Sequence, residues 1–157
     1  MRLSDAEAMG LALAEAAKAY ALGEVPIGAV LTDAAGEIIA RAHNMREAWH
    51  DATAHAELIA IREACRSLGK WRLSGCTLYV TIEPCPMCAG ALVLARIDRV
   101  VYGGADAKAG AVESLFAIPS HPGLNHRMEV TAGVREAECR ELMQRFFRER
   151  RKLQKRK

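Results

Sequence analysis

The stretch "TLYVTIEPCPMCAG", residues 77–90, decides how this chain is read. Its first six residues are apolar or rich in β-formers, the signature of a buried strand. Pro84 ends that run, and Pro86 stands where a proline opens a helix, so a strand passes into a helix at Cys85. Cys85 and Cys88 occupy the junction three residues apart. On a first helical turn both thiols face the same way. The positive end of the helix favours the thiolate, the form that binds metal. Such a pair can be a redox couple, half of a structural zinc site, or two ligands of a catalytic metal.

Outward from this junction the chain alternates between strand and helix patterns. Ser4 followed by Glu7 is a capping-box pattern that opens a helix over 4–22, with Gly23 as its stop. "IGAVLT" (27–32) and "EIIARA" (37–42) read as two strands joined by a tight turn at "DAAG" (33–36). Thr53 can cap a second helix, about Ala54–Leu68, that ends at Gly69. Leu58, Ile61, Cys65 and Leu68 recur at helical spacing and mark its expected core face. A third helix runs from Pro86 to about Ala95, and "RVVYGG" (99–104) is the next strand. Residues 105–126 read as loop, with a short helix at "ESLFAI" (113–118). "RMEVTA" (127–132) is a fifth strand, and a long helix begins at 135 and runs to about 153. This alternation predicts a three-layer α/β/α sandwich around a mostly parallel sheet. No linker divides the 157 residues, so one domain is expected.

Cysteine usage and charge narrow the setting. The five cysteines (65, 76, 85, 88, 139) are odd in number and only one pair is closely spaced, which is not a disulfide framework. The expectation is a reducing, cytoplasmic protein. "MRLSDAEAMG" does not read as a signal peptide, and "CAGALVLARI" is too short to span a bilayer. Net charge is +3, but residues 145–157, "RFFRERRKLQKRK", carry eight Lys/Arg against one Glu. The rest of the chain is therefore net acidic, and the basic surplus sits in one segment. Such a segment fits either a phosphate-rich partner or a solvated tail.

The residues that decide between the roles of Cys85 and Cys88 lie upstream, in "HAE" (55–57). At about 100° per residue, His55 and Glu57 fall on opposite flanks of the second helix's core face, within its first turn. Both can reach a point just off the helix's N-terminal end. His55 alone is most simply a half-buried, hydrogen-bonded histidine, and Glu57 alone a residue that favours the positive helix end. Together with Cys85 and Cys88 they make a Cys2His set that leaves the fourth position of a zinc ion open, beside a carboxylate. Structural zinc sites close with a fourth protein ligand, and no other His or Cys has suitable spacing. Bound zinc activates water, and Glu57 can move its proton. The rival thioredoxin-like couple explains the cysteines but leaves His55 and Glu57 without a role.

"His55-Ala-Glu57" followed by "Pro84-Cys85-Pro-Met-Cys88" resembles the H-x-E and P-C-x-x-C signature of zinc-dependent nucleobase deaminases. The likeness extends to "HNMREAWHDATAHAE", "DAKAG", "HPGLNHR" and "FFRERR", which are similar to the bacterial tRNA-specific adenosine deaminases. The resemblance implies a cytidine-deaminase-like fold with a five-stranded mixed sheet, one Zn2+ per subunit and a homodimer. It implies hydrolysis of adenosine to inosine at the wobble position of a tRNA anticodon loop. Activated water would attack C6 of the base, with Glu57 carrying the proton to N1 and helping to expel the amine. The flipped adenine would lie between Ile27, Ile82 and the zinc, beside Ala56, with Asn44 hydrogen-bonded to it. The Pro84 carbonyl would accept from the leaving amine, and Asp106 would contact the ribose or backbone. Lys108, His121 and Asn125 are candidate loop contacts, each otherwise a turn or cap residue.

Two departures stand out. Ala52 replaces the proline common in the family, and "GGA" before Asp106 lacks an Arg found in some relatives. In the last helix Cys139, Leu142, Met143 and Phe146 form the expected core stripe. Arg145, Arg148, Arg150, Arg151 and Lys152 are then the expected contacts to an RNA backbone. Phe147 is open between base stacking and a dimer contact.

Overall fold

The computed structural model describes residues 2–155. Ser4 opens α1 (Asp5–Ala21) with a reciprocal capping box: its hydroxyl accepts the Glu7 N–H and the Glu7 carboxylate accepts the Ser4 N–H, both at 3.1 Å. β1 (Gly28–Thr32) and β2 (Ile38–His43) form a hairpin whose turn is held by the Asp33 carboxylate, which accepts the N–H groups of Ala35 and Glu37. The order continues with α2 (Ala56–Leu68), β3 (Thr77–Ile82), α3 (Pro86–Leu94), β4 (Arg99–Gly104), β5 (Glu129–Thr131) and α4 (Glu136–Lys155).

The sheet order is β2-β1-β3-β4-β5. β1 pairs antiparallel with both β2 and β3, whereas β3–β4 and β4–β5 are parallel. The sheet is therefore mixed, as the resemblance implied. The mostly parallel expectation holds for strand direction and fails for pairing. β2 and β3 point the same way but are separated by β1, because the α2 crossover from β2 skips one strand before β3 is laid down. This places the site. Two parallel strands deliver their following helices to the same end of the sheet, so the N-termini of α2 and α3 meet there.

Alternating side chains feed two cores. Leu31, Leu78, Val80 and Val100 pack with Ala56, Ile59 and Ala60 of α2 and Leu92 and Val93 of α3. Val30, Tyr79 and Val101 pack with Ala8, Met9 and Ala12 of α1 and Cys139 of α4. Helices thus cover both faces, giving three layers. α1 lies so close to β1 that a Cβ on Gly28 would strike the Ala12 carbonyl and the Ala16 nitrogen, so only glycine fits there. Arg99 fastens α1 to the sheet edge, donating to the Asp5 carboxylate at 2.6 and 2.9 Å and to the Thr131 hydroxyl at 2.9 Å.

Several local expectations need correction. α2 begins at Ala56, not Ala54, and Thr53 does not cap it. Instead Thr53 donates to the Asp51 carboxylate through its N–H and its hydroxyl. That local turn sets the chain direction without a proline at the exposed Ala52. The buried face of α2 is Ala56, Glu57, Ile59, Ala60 and Ala64; Leu58, Ile61 and Cys65 lie on its margins, and Leu68 is 37% exposed. The row facing β1 and β2 is mostly alanine, with Ile59 as its one large apolar side chain, while Ile61 and Cys65 pack against the core from the side. The short helix expected at 113–118 is a 3-10 turn at Ile118–Ser120, where Pro119 is buried. The α4 stripe holds: Cys139 and Phe146 are buried, and Leu142 and Met143 are partly so. Arg156 and Lys157, the end of the expected basic segment, lie outside the described residues.

Candidate metal centre

His55 is the N-cap residue of α2, and Cys85 is the N-cap residue of α3 with Cys88 in the first turn. Neither cap side chain bonds its own helix start, which leaves both turned to another purpose. His55 Nδ1 lies 3.7 Å from Cys85 Sγ and 3.6 Å from Cys88 Sγ. Zinc bound tetrahedrally, with Zn–S about 2.3 Å and Zn–N about 2.0 Å, holds such ligand atoms about 3.6 Å apart. These three residues form the His/Cys/Asp/Glu cluster able to hold a metal among the described residues, with all ligand atoms within 4.8 Å of one another.

Protons are shared within the cluster. The Cys88 thiol first of all, and His55 after it, lower Cys85 to about 4. Cys88, donating to Cys85 and buried, is pushed well up, and His55 is raised chiefly by its hydrogen bond to Cys85. A divalent cation takes both sulfurs as thiolates and so releases protons. All five cysteines are free thiols, which disposes of a Cys85–Cys88 disulfide in this structure.

Glu57 stands in the α2 core face rather than on its flank. It is 3% exposed, and its Oε1 is buried without a hydrogen-bond partner among the described residues. Burial pushes this carboxyl up to about 7. An unpartnered buried carboxylate oxygen is costly and calls for a partner at the site. A metal-coordinated water beside three ligands answers that need, so these residues fit a zinc ion.

Asn44 is 2% exposed and does what Thr53 was expected to do: its Oδ1 accepts the Ala56 N–H at 2.9 Å and caps α2 from twelve residues upstream. The Ala56 N–H is thereby taken and is no donor to a substrate. The Asn44 N–H donates to the Ile27 carbonyl at 3.1 Å, which brings Ile27, Asn44 and the α2 start together. Ile82 is buried at the end of β3. The Pro84 carbonyl accepts the Ala111 N–H at 2.8 Å, so a bond to a leaving amine would have to use its second lone pair.

The loop after β4 carries Asp106 and Lys108. Asp106 Oδ1 accepts the N–H groups of Lys108 and Ala109 at 3.0 and 3.1 Å, a turn-forming role. Lys108 is exposed. His121 is exposed and its Nδ1 accepts the Gly123 N–H at 2.9 Å. Asn125 is not brought to the site within this chain. The loop must return to the far end of the sheet to start β5 parallel to β4, and His126, the next residue, already lies 2.6 Å from the Ile97 carbonyl before β4.

Of the basic residues, Arg145, Arg148, Arg151 and Lys152 are exposed. Arg150 is different: it donates to the Gly23 carbonyl at 2.6 Å, and its guanidinium lies 5.0 Å from the Phe146 ring centre. Arg145 lies over the Tyr20 ring at 5.1 Å. Phe147 is 42% exposed and meets Phe146 edge-on. A cleft of about 470 Å3 between α4 and the loop after β2 is lined by Arg46, Glu47, Phe146 and Arg150.

Two buried carboxylates that hold the loops around the site are not marked by any local sequence pattern. Glu24, 1% exposed, accepts the N–H groups of Glu47 and Ala48 at 3.0 and 2.7 Å and so holds the loop leading to the α2 start. Glu83, 3% exposed, organises the loop of Asp106. The available signal was an acid set against buried strand residues, with nothing local to pair it.

Comparison with known proteins agrees with this geometry. Residues 3–104 match the family described as the cytidine and deoxycytidylate deaminase zinc-binding region. The tRNA-specific adenosine deaminase of Bacillus subtilis (strain 168) is 55% identical over 144 residues, covering 92% of this chain and 89% of its own. A solved structure from studies of A-to-I editing by tRNA:A34 deaminases at the wobble position of transfer RNA superimposes with a TM-score of 0.83 at 50% identity, over 86% of this chain and 97% of its own. A guanine deaminase from Bacillus subtilis superimposes at 0.62 with 39% identity, over 66% of each chain. The chain belongs to the cytidine and deoxycytidylate deaminase family, in its branch of tRNA-specific adenosine deaminases.

Proposed function

We propose that this chain hydrolyses adenosine to inosine at the wobble position of tRNA anticodon loops, with zinc held by His55, Cys85 and Cys88. The observation that carries this reading is the buried, unpartnered Glu57 Oε1 beside a three-ligand set. When bound, zinc supplies an activated water near neutral pH. Glu57 would carry a proton from the attacking water to N1 of the base and then to the departing amine, as C6 gains its bond to oxygen and loses its bond to nitrogen. In the metal-free protein burial raises the proton affinity of Glu57 above that of an ordinary carboxyl. Asn44 Oδ1 is occupied by the Ala56 N–H, so Asn44 offers the base its amide donors. Ile27 and Ile82 supply apolar walls. Asp106 keeps one carboxylate oxygen for a ribose or backbone contact. Arg145, Arg148, Arg151 and Lys152 neutralise phosphates, with Lys108 and His121 contributing from the loop.

A homodimer would cover the exposed apolar side chains Met87 and Leu94 of α3 and Leu115 and Phe116 of the following loop. A cytoplasmic location suits a tRNA substrate and five free thiols. No helix among the described residues is long and apolar enough to cross a membrane.

The test is incubation of zinc-loaded protein with a tRNA bearing adenosine at the wobble position, followed by sequencing for inosine. Conversion that disappears in Glu57→Ala while zinc is retained is the expected result. No conversion of tRNA, or conversion of free guanine instead, overturns the reading.

A further inference from the structure

We infer that Glu83 is a positioning residue for polynucleotide recognition: it holds the Asp106–Ser114 loop in place against the strand end that presents Cys85. This inference rests on the deaminase reading above.

Glu83 Oε2 accepts three consecutive backbone N–H groups, those of Val112, Glu113 and Ser114, at 3.1, 2.8 and 2.9 Å. Its Oε1 accepts the Asp106 N–H at 3.0 Å and the Ser114 hydroxyl. One carboxylate thus ties the first and last residues of the loop together. Among the described residues no hydrogen bond to it comes from an Arg, Lys or His; its donors there are four backbone N–H groups and a hydroxyl. Consecutive N–H groups converging on one oxygen form the kind of concavity that binds anions, and here the chain supplies the anion itself.

The surroundings are built for this arrangement. Gly110 faces the carboxylate so closely that a Cβ there would strike it. Glu83 N–H donates to the Gly104 carbonyl at 2.8 Å, and the next carbonyl, that of Pro84, takes the Ala111 N–H at 2.8 Å. Residues 83 and 84 therefore grip the loop at both ends and in the middle, immediately before the first cysteine ligand. The loop carries Asp106 and Lys108, the side chains read here as contacts beside the target nucleotide. Their distance from the metal ligands is set by Glu83, through a chain of hydrogen bonds that leaves His55, Glu57 and Cys88 untouched.

Glu83→Gln keeps the shape and one acceptor oxygen, but it sets an amide N–H2 in place of the other, facing at least the Asp106 N–H, which it repels. With the zinc-loaded protein, three readouts are expected. Zinc content stays at the wild-type level. Amide hydrogen exchange at Asp106, Val112, Glu113 and Ser114 accelerates about tenfold or more, while β3 and β4 stay protected. KM for an anticodon stem-loop RNA rises about tenfold or more, and kcat changes less than KM does. Unchanged exchange in a folded variant, faster exchange spread over the whole molecule, or a fall in kcat at constant KM overturns the proposal. Should Glu83→Gln lose zinc or fail to fold, the same readouts on Ser114→Ala decide it, with smaller changes in the same direction. If the wild-type protein does not deaminate RNA, the functional reading fails, and the exchange data still decide whether Glu83 holds the loop.

Discussion

Glu57 is expected to cost stability in the metal-free protein, and Glu57→Gln to recover it in a pH-dependent way. In the fold its carboxyl is raised from an ordinary 4.5 to about 7, with burial the largest cause. Between those two values the folded protein binds a proton that the unfolded chain does not. Stability is therefore fully present below the unfolded value and is lost as pH rises through the folded one. At 1.36 kcal/mol per unit, the wild type gives up about 2–3 kcal/mol between pH 5 and pH 8 from this group. Gln carries no titratable proton at that position, so Glu57→Gln escapes the loss. Any fixed cost of burying the amide is the same at both pH values and cancels in the comparison. Urea unfolding of chelator-treated protein, wild type and variant, at pH 5 and pH 8 is the assay. With a urea slope of about 2 kcal/mol/M, the gap between the two midpoints should widen by about 1 M from pH 5 to pH 8. A gap that is the same at both pH values would refute the reasoning, because it would mean that Glu57 is not held in a charge-excluding site. The same variant, zinc-loaded, should lose about 10²- to 10⁴-fold in kcat, so that the residue costly to the fold is the one the reaction uses.

Zinc uptake should release protons, because His55 and Cys88 both hold theirs more firmly than usual in the free site. Affinity measured with a chromophoric chelator should fall about tenfold or more per pH unit on acidification; a flat profile would contradict the shared-proton arrangement. Asn44→Ala leaves the buried Ala56 N–H without its acceptor and should destabilise the protein by about 1–3 kcal/mol in urea unfolding. Replacing Arg148, Arg151 and Lys152 together by Gln should lower the slope of log affinity for RNA against log salt by about 2 while leaving stability nearly unchanged. Arg150→Ala should behave in the opposite way. It loses the bond to Gly23 and the contact with Phe146, so it should reduce the melting temperature by about 2–4 °C.

The legibility of the elements followed how local their causes are. Ser4 with Glu7, Gly69, and Pro86 act through their own backbone neighbours, and α1, the end of α2 and the start of α3 were readable from them. The start of α2 was not, because its cap comes from Asn44 across a twelve-residue loop rather than from Thr53 next door. The core face of α2 was misread for a related reason. Leu58, Ile61, Cys65 and Leu68 are the more hydrophobic row, but the helix turns Ala56, Ile59, Ala60 and Ala64 to the sheet, and Ile61 and Cys65 reach the core only from its margin. Glu57 shifted from flank to core face with that rotation, which is why its burial came as a structural result. Arg150 shows the same limit in the tail: basic residues look alike in sequence until one finds a carbonyl to bond.

What the sequence determined by itself is the chemistry: His55, Glu57, Cys85 and Cys88 are legible because ligand types and close spacings are properties of short segments. Tertiary structure alone decided that they meet. Thirty residues separate His55 from Cys85, and they converge because β2 and β3 run parallel on either side of β1 and deliver α2 and α3 to one end of the sheet. Tertiary structure also decided the roles of Glu24, Glu83 and Asn44, whose partners lie 12 to 31 residues away. A buried polar group must find a partner somewhere, but only the folded chain shows which one.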